Sequence, residues 1–318
     1  MLTYRPFRNT DPPVLSAIWQ SRAGQPGLVQ PVSPDLLEQF IFSKLYFVED
    51  GLTVAWEDGR GVGFAHAGFG ADETESGVST ELGTTFLILV RPDCDEKKIG
   101  EALLERSEAY LRSHGAKVLY AGGIRPLNAF YLGLYGGSEL PGVLESDTVA
   151  QQLYASHGYR EIDRTLLMEQ ALAAFESVVD RRQMQVRRQM LAEVIVDPPS
   201  RTWWDACTFG PFELVRYELI PRSGGAAVAT ATFRSMEVQS TAARPRSVGL
   251  IDLWVEESFR RRGLAVFLLS EAFRQFLREG VVKVEVQAMQ HNLAALGLYG
   301  KLGFRQIGHG SVLRKEEG

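Results

Sequence analysis

The chain is poor in the residues that usually advertise a site. Of its 318 residues only two are cysteine, Cys94 and Cys207, and five are histidine. Two lone thiols without metal-ligand spacing exclude a disulfide framework and a cysteine metal cluster, and they fit a reducing compartment. Each is read as a buried or incidental thiol. No metal site is expected. Long apolar runs are missing as well. No stretch reaches the ~18 residues of a membrane span, and the opening MLTYRPFRNTDPP has no apolar signal core, so a cytoplasmic protein is expected. Charge of one sign is scarce too: a net −5 and a pI near 5.7 argue against a general nucleic-acid or membrane-surface binder.

What is present is apolar residues enough for two cores, 45% of the total, on a chain about twice a common domain length. Strand patterns at 1–7, 52–57, 61–69, 84–90 and 117–121 alternate with helical ones at Asp11–Arg22, Ser33–Lys44 and Ile99–His114. Residues 171–188 read as a basic linker helix whose arginines, Arg181, Arg182, Arg187 and Arg188, form a solvated face. A second series follows, with strands at 191–196, 212–220, 226–234, 248–255 and 281–288. Helices at 264–279 and 292–302 and a final extended stretch at 304–314 complete it.

The two series superimpose. VRPDCDEKKIG (90–100) and VEESFRRRGLA (255–265) are related by a shift of 165, and DTVAQQLYASHGYREI (147–162) and NLAALGLYGKLGFRQI (292–307) by a shift of 145. The difference of 20 is an insertion in the first copy, within GGIRPLNAFYLGLYGGSELPGVLES. Agreement at two separate places implies one α/β unit built twice. The expected boundaries are a first domain over 1–170, a linker over 171–188 and a second domain over 189–318.

The second copy carries the chemistry. A strand ends at Val255, the chain turns through Arg260, Arg261, Arg262 and Gly263, and a helix starts at Leu264. Free N–H groups at a helix start attract an anion, Gly263 permits close backbone approach, and small Ala265 leaves room. Three arginines around that point make a cradle for a pyrophosphate. The loop is neither GxGxxG nor GxxxxGK[ST], so a dinucleotide or an ATP γ-phosphate does not follow.

RRRGLA resembles the R/Q-x-x-G-x-G/A signature of the GCN5-related N-acetyltransferases (GNAT). Asn292, Ala295 and Tyr299, followed by Leu302–Gly303–Phe304, resemble the same family's N-x-x-A-x-x-x-Y helix. The resemblance covers both halves, and the tandem arrangement is similar to mycothiol-synthase-type acetyltransferases. It implies an α/β fold of two tandem GNAT domains, each a mixed, mostly antiparallel sheet flanked by helices. It also implies an acetyl-CoA-dependent N-acetyltransferase acting on an amine, a small molecule or peptide N-terminus. In that resemblance Leu253 and Val255 pair with the pantetheine arm, and the Val255 N–H polarises the thioester. Residues 260–265 hold the pyrophosphate, Asn292 bonds the cofactor amides, and Tyr299 protonates the departing sulfur. Glu285, in VEVQAMQHN, is the candidate base, with Asp252, His291 or a water chain as rivals. Acetyl-CoA is the cosubstrate and an amine the acceptor; no nucleic-acid or membrane partner is implied, and the chain is expected as a monomer or homodimer. The alternative is a non-catalytic acyl-CoA sensor or scaffold. Nucleotide binding at the same turn is a third reading, one in which ATP competes with CoA.

In the first copy Asp95 stands at the place of Arg260, Lys98 at that of Gly263 and Asp147 at that of Asn292. A carboxylate repels a pyrophosphate, so the first copy is expected not to bind acetyl-CoA in the usual way. Trp203, Trp204 and Trp254 are read as packing residues that could alternatively line an acceptor cleft.

Overall fold

The computed structural model describes residues 1–236 and 246–316. The first half contains β1 (Leu2–Pro6), α1 (Pro12–Gln20), α2 (Pro34–Leu37), β2 (Leu52–Glu57), β3 (Arg60–Ala71) and β4 (Val78–Val90). These are followed by α3 (Glu96–Ser113), β5 (Val118–Ala121), β6 (Val143–Leu144), α4 (Thr148–Ser156) and β7 (Arg160–Ala171). The second half contains α5 (Arg181–Gln189), β8 (Met190–Val196), α6 (Trp203–Phe209), β9 (Leu214–Pro221), β10 (Ala229–Ser235) and β11 (Ser247–Val255). Then come α7 (Leu264–Arg278), β12 (Lys283–Met289), α8 (Leu293–Lys301) and β13 (Arg305–Glu316).

Among the described residues the strands form one sheet, in the order β1-β2-β3-β4-β5-β13-β7-β12-β11-β10-β9-β8, with β6 on β13. The order does not follow the sequence halves. β5 of the first half pairs with β13 of the second, and β12 of the second pairs with β7 of the first. Each copy has handed its last strand to the other. The exchange is symmetric, since Val118 faces Glu316 and Lys283 faces Ala171, which are equivalent pairs under the two shifts.

The duplication is visible in the backbone. On β4 the residue left over by the register with β3 is Phe86, because His66 faces Leu87 and Ala67 faces Thr85. On β11 the extra residue against β10 is Ile251, because Phe233 faces Leu250 and Thr232 faces Asp252. Such bulges bend one strand away from its neighbour. Accordingly the parallel pairings β4–β5 and β11–β12 stop at Thr85 and Leu250, and the strand beyond each splays out. Two V-shaped openings result, one per copy.

Two large cores lie on the sheet. One holds α7, whose Leu264, Phe267, Leu268, Phe273 and Phe276 point into it, together with Tyr217, Phe233 and Phe304. The other draws on both halves: Phe130 to Tyr135 of the first-copy insertion pack with Trp204, Phe209, Phe212 and Ile251. Trp204 is buried, and its Nε1 donates to Asn128 Oδ1 at 3.2 Å, so packing describes it; Trp254 is exposed instead.

The linker helix differs from its expected extent. β7 runs to Ala171, so the helix is confined to Arg181–Gln189, started by the Asp180 side chain accepting from the Gln183 N–H. The helix expected over Ser33–Lys44 is α2 followed by a wider turn over Glu38–Phe42. The helix α6 was not foreseen; seven residues are too few to display a period.

Candidate active site

In the second copy, β11 leads through Glu256–Phe259 to the turn before α7. Arg261 and Gly263 both take left-handed backbone, at φ 63° and 87°. For Gly263 this costs nothing, whereas a side chain there is strained. No side chain caps α7, which leaves its first N–H groups to a ligand. Arg260, Arg261 and Arg262 are exposed around it. Arg260 Nε donates to the Val255 carbonyl at 3.1 Å and Arg262 lies 5.3 Å over the Phe259 ring, which holds both side chains beside the turn. The linker helix braces the turn from behind: Gln183 Nε2 donates to the Gly263 carbonyl at 3.3 Å and an Arg182 N–H to the Arg261 carbonyl at 3.4 Å. Arg182 is thus a brace of the turn, not only part of a solvated face. The Leu264 side chain is buried in the core, so only its backbone can serve a ligand, and Ala265 is half-buried.

The equivalent turn in the first copy is wound shut. There α3 starts at Glu96, the place of Arg261, so the residues matching the cradle belong to the helix itself. The Asp95 carboxylate accepts from the Lys98 N–H at 3.1 Å, putting a resident anion where a phosphate would go. Arg22 pairs with Glu96 at 2.6 Å and donates through Nε to the Val90 carbonyl at 2.6 Å. Behind these lies a cavity of about 410 Å³, walled by Ile88, Leu89, Val90, Ala150 and Leu153. The opening is present in this copy too, but the turn at its end is helical and carries the Asp95 carboxylate. The Tyr154 hydroxyl, counterpart of Tyr299, donates to the Thr85 carbonyl at 3.4 Å, and burial pushes its phenol up.

Leu253 and Val255 lie on the splayed part of β11, beyond its pairing with β12. Asn292 caps α8, its Oδ1 accepting from the Ala295 N–H at 3.1 Å, as Asp147 caps α4. Tyr299 is buried against Phe304, ring centres 5.4 Å apart, and its hydroxyl makes no hydrogen bond among the described residues. Burial, then the charges of Glu139 and Asp252, push its phenol well above its ordinary value.

All three candidate bases are held in ion pairs, and of them Asp252 lies within electrostatic reach of Tyr299. Glu285 is in an ion pair with Lys283 at 2.7 Å, and a methyl on Gly137 of the insertion would lie 2.8 Å from its Oε2, so the loop covers it. His291 is exposed and paired with Asp163 at 2.6 Å. Asp252 is held by Arg201 at 2.6 Å.

Sequence reasoning missed Glu139. It lies in the insertion, whose residues 137–139 are clamped onto the second copy by buried Arg234. Arg234 Nε donates to the Ser138 carbonyl at 2.7 Å and a terminal N–H to the Gly137 carbonyl at 2.5 Å. Burial pulls that guanidinium down to about 10. Gln287 Nε2 donates to the Glu139 carbonyl at 2.6 Å. The signal was available: between residues 126 and 144 Glu139 is the sole charged residue.

Two family models match the chain, an acetyltransferase (GNAT) domain over residues 48–161 and the acetyltransferase (GNAT) family over 185–304. The chain belongs to the GNAT superfamily, as two GNAT domains in tandem. A tandem GNAT protein from the clavulanic acid biosynthesis pathway superposes with a TM-score of 0.70 at 16% identity, covering 100% of this chain and 99% of its own. A GNAT-type glucosamine N-acetyltransferase region of a fungal multi-domain β-N-acetylglucosaminidase superposes at 0.71 and 17% identity. It covers 99% of this chain, which spans 38% of that protein's length. A GNAT protein from Sphaerobacter thermophilus superposes at 0.58 and 17% identity, covering 99% and 95%. At such identities the likeness is one of fold. No curated protein sequence matches the chain. The GNAT fold is that of acetyl-transferring enzymes, which in general bind an acyl-CoA and an acceptor. Among the described residues no helix is long and apolar enough to cross a membrane, and no group of His, Cys, Asp and Glu could hold a metal ion.

Proposed function

We propose that this tandem GNAT protein is an acetyl-CoA-dependent N-acetyltransferase, with the cofactor seated in its second copy and an amine, of a small molecule or a peptide N-terminus, as acceptor. The observation that carries this reading is the contrast between the two turns. One offers uncapped amides, two left-handed residues and three exposed arginines; the other fills the same place with a helical turn and the Asp95 carboxylate. A diphosphate near a surface gains or loses roughly a few kcal/mol on such a reversal of charge.

Arg260, Arg261, Arg262 and the N–H groups of Gly263, Leu264 and Ala265 would hold the pyrophosphate. The unpaired edge of β11 at Leu253 and Val255 would take the amides of the pantetheine arm, with the Asn292 amide group beside it. Bound there, acetyl-CoA supplies an activated acyl carbon. The Val255 N–H stabilises charge on its oxygen, and Tyr299, whose raised phenol keeps its proton at neutral pH, gives a proton to the sulfur.

Calorimetry with CoA should give one site per chain, lost on replacing Arg260, Arg261 and Arg262 together by Ala and kept on replacing Arg22. Acetyl-CoA with a panel of amines should release free thiol. CoA bound with undiminished affinity by the triple variant would sink the placement. CoA bound without turnover of any amine would favour an acyl-CoA sensor or scaffold.

A further inference from the structure

The second copy's opening ends against a surface that the first copy provides. Residues 137–139 cross β11 and β12 and are fixed there at three points, by two hydrogen bonds from Arg234 and one from Gln287. This fixed stretch carries one ionisable side chain, Glu139. Unlike Asp252, Glu285 and His291, its carboxylate has no hydrogen-bond or ion-pair partner among the described residues. It is half-buried and lies within electrostatic reach of Tyr299 on α8 and Asp252 on β11.

We propose that Glu139, carried by the first copy, takes the proton of the acceptor amine in the second copy's site, so that the acceptor pocket is built across both copies. This deepens the reading of the second copy as an N-acetyltransferase and rests on it.

The groups facing Glu139 are Arg125 from the insertion itself, Arg234 on β10, Asp252 on β11 and Tyr299 on α8, with Glu285 on β12 acting on Arg234. Burial raises its carboxyl to about 7, more than the two arginines offset, and Asp252 adds to the rise. A base poised there is half in its working form at neutral pH. In the step, Glu139 accepts one proton from the ammonium and frees the nitrogen lone pair. The C–N bond forms as the C–S bond of the acyl-CoA breaks, and the sulfur receives a proton from Tyr299. The second nitrogen proton replaces the one Tyr299 gave. Per turnover one amide, one CoA thiol and one proton, finally released from Glu139, result.

The test uses the full chain, acetyl-CoA and tyramine, 2-phenylethylamine, glycinamide and D-glucosamine as probe amines, with free thiol measured over roughly pH 5.5–9. The wild type should show a kcat that falls on the acid side around neutral pH. Glu139→Gln should lower kcat by about 100-fold and flatten that limb, with CoA affinity by calorimetry unchanged, and Glu139→Asp should recover part of the rate with the limb restored. A Glu139→Gln enzyme within roughly threefold of wild type, limb intact, overturns the proposal. A wild type that binds CoA and acetylates none of the probes overturns both this proposal and the reading of the second copy as an N-acetyltransferase. A wild type that does not bind CoA overturns the parent reading instead.

Discussion

Gly310 on β13 lies directly opposite Thr165 on β7, and the two hold the same place in their copies, 145 residues apart. The approximate two-fold relation between the copies passes between them. The sheet on one side of that point is repeated on the other, including the bulge at Phe86 and Ile251, whereas the insertion before β6 and the turns that open α3 and α7 differ.

Because β12 is completed by β7, the second copy should not fold alone. Expressed from residue 175 onward, it keeps β11 beside β12 but loses β7 on the other side, which leaves an unpaired backbone edge unless its own β13 folds back into that place. We expect an aggregated or CoA-blind fragment, and recovery of CoA binding when residues 1–174 are co-expressed with it. A monomeric fragment 175–318 with wild-type affinity would contradict the exchange.

Gly263→Ala tests the turn. At φ 87° an alanine costs about 1–2 kcal/mol, and its methyl would lie 2.8 Å from Gln183 Nε2 and 2.9 Å from Arg182 Cδ, which can move. CoA affinity should drop about 10-fold, since 1.4 kcal/mol is one decade. The matching Lys98→Ala, already helical, should leave CoA affinity unchanged.

Tyr299→Phe and Tyr154→Phe should separate chemistry from structure. The Tyr299 hydroxyl bonds nothing described, so its loss should leave thermal stability unchanged while slowing acetyl transfer about 100-fold at constant CoA affinity. Tyr154 donates to the Thr85 carbonyl, and its loss should cost about 0.5–1 kcal/mol without slowing turnover. Denaturation midpoints and single-turnover rates read both.

Asp95→Ala removes the cap of α3 and should destabilise by about 1 kcal/mol. It should not create a second CoA site, because the helical turn over 96–98 remains. Calorimetric stoichiometry should stay at one per chain.

The raised Glu139 carboxyl also links to stability. Its folded value, about 7, is above the ordinary 4.5, so its contribution is fully present below about pH 4.5 and is lost as the pH rises through 7. Glu139→Gln should therefore melt with the wild type near pH 4.5 and above it at pH 8. Equal melting temperatures at both ends would remove the shift.

Much of this was legible in the residues. The two shifts revealed the duplication, and the glycine of the arginine-rich turn stands where the backbone is left-handed, as its place before the helix suggested. The strand exchange was not legible, for a physical reason. β7 and β13 are equivalent strands, so either satisfies the same apolar pattern beside β5 or β12, and local alternation cannot say which partner was chosen. Glu139 was hidden similarly: an apolar insertion reads as core, and its one acid gains meaning only from the strands it crosses. For α6, Thr202 with Asp205 three residues on was a capping signal that seven residues of helix left unsupported.

The traded strands also set a timetable for synthesis. β5 emerges from the ribosome with its outer edge bare, and its neighbour β13 begins at Arg305, so the gap is Ala121 to Arg305. At about 5–20 residues per second that is roughly 10–40 s of waiting. During that interval β7 is already made and bears the same pattern, so the nascent first half can close on its own strand before the rightful one arrives. Any such early closure would have to open again before β13 could enter, and slowed translation past residue 171 would lengthen the time it has to form.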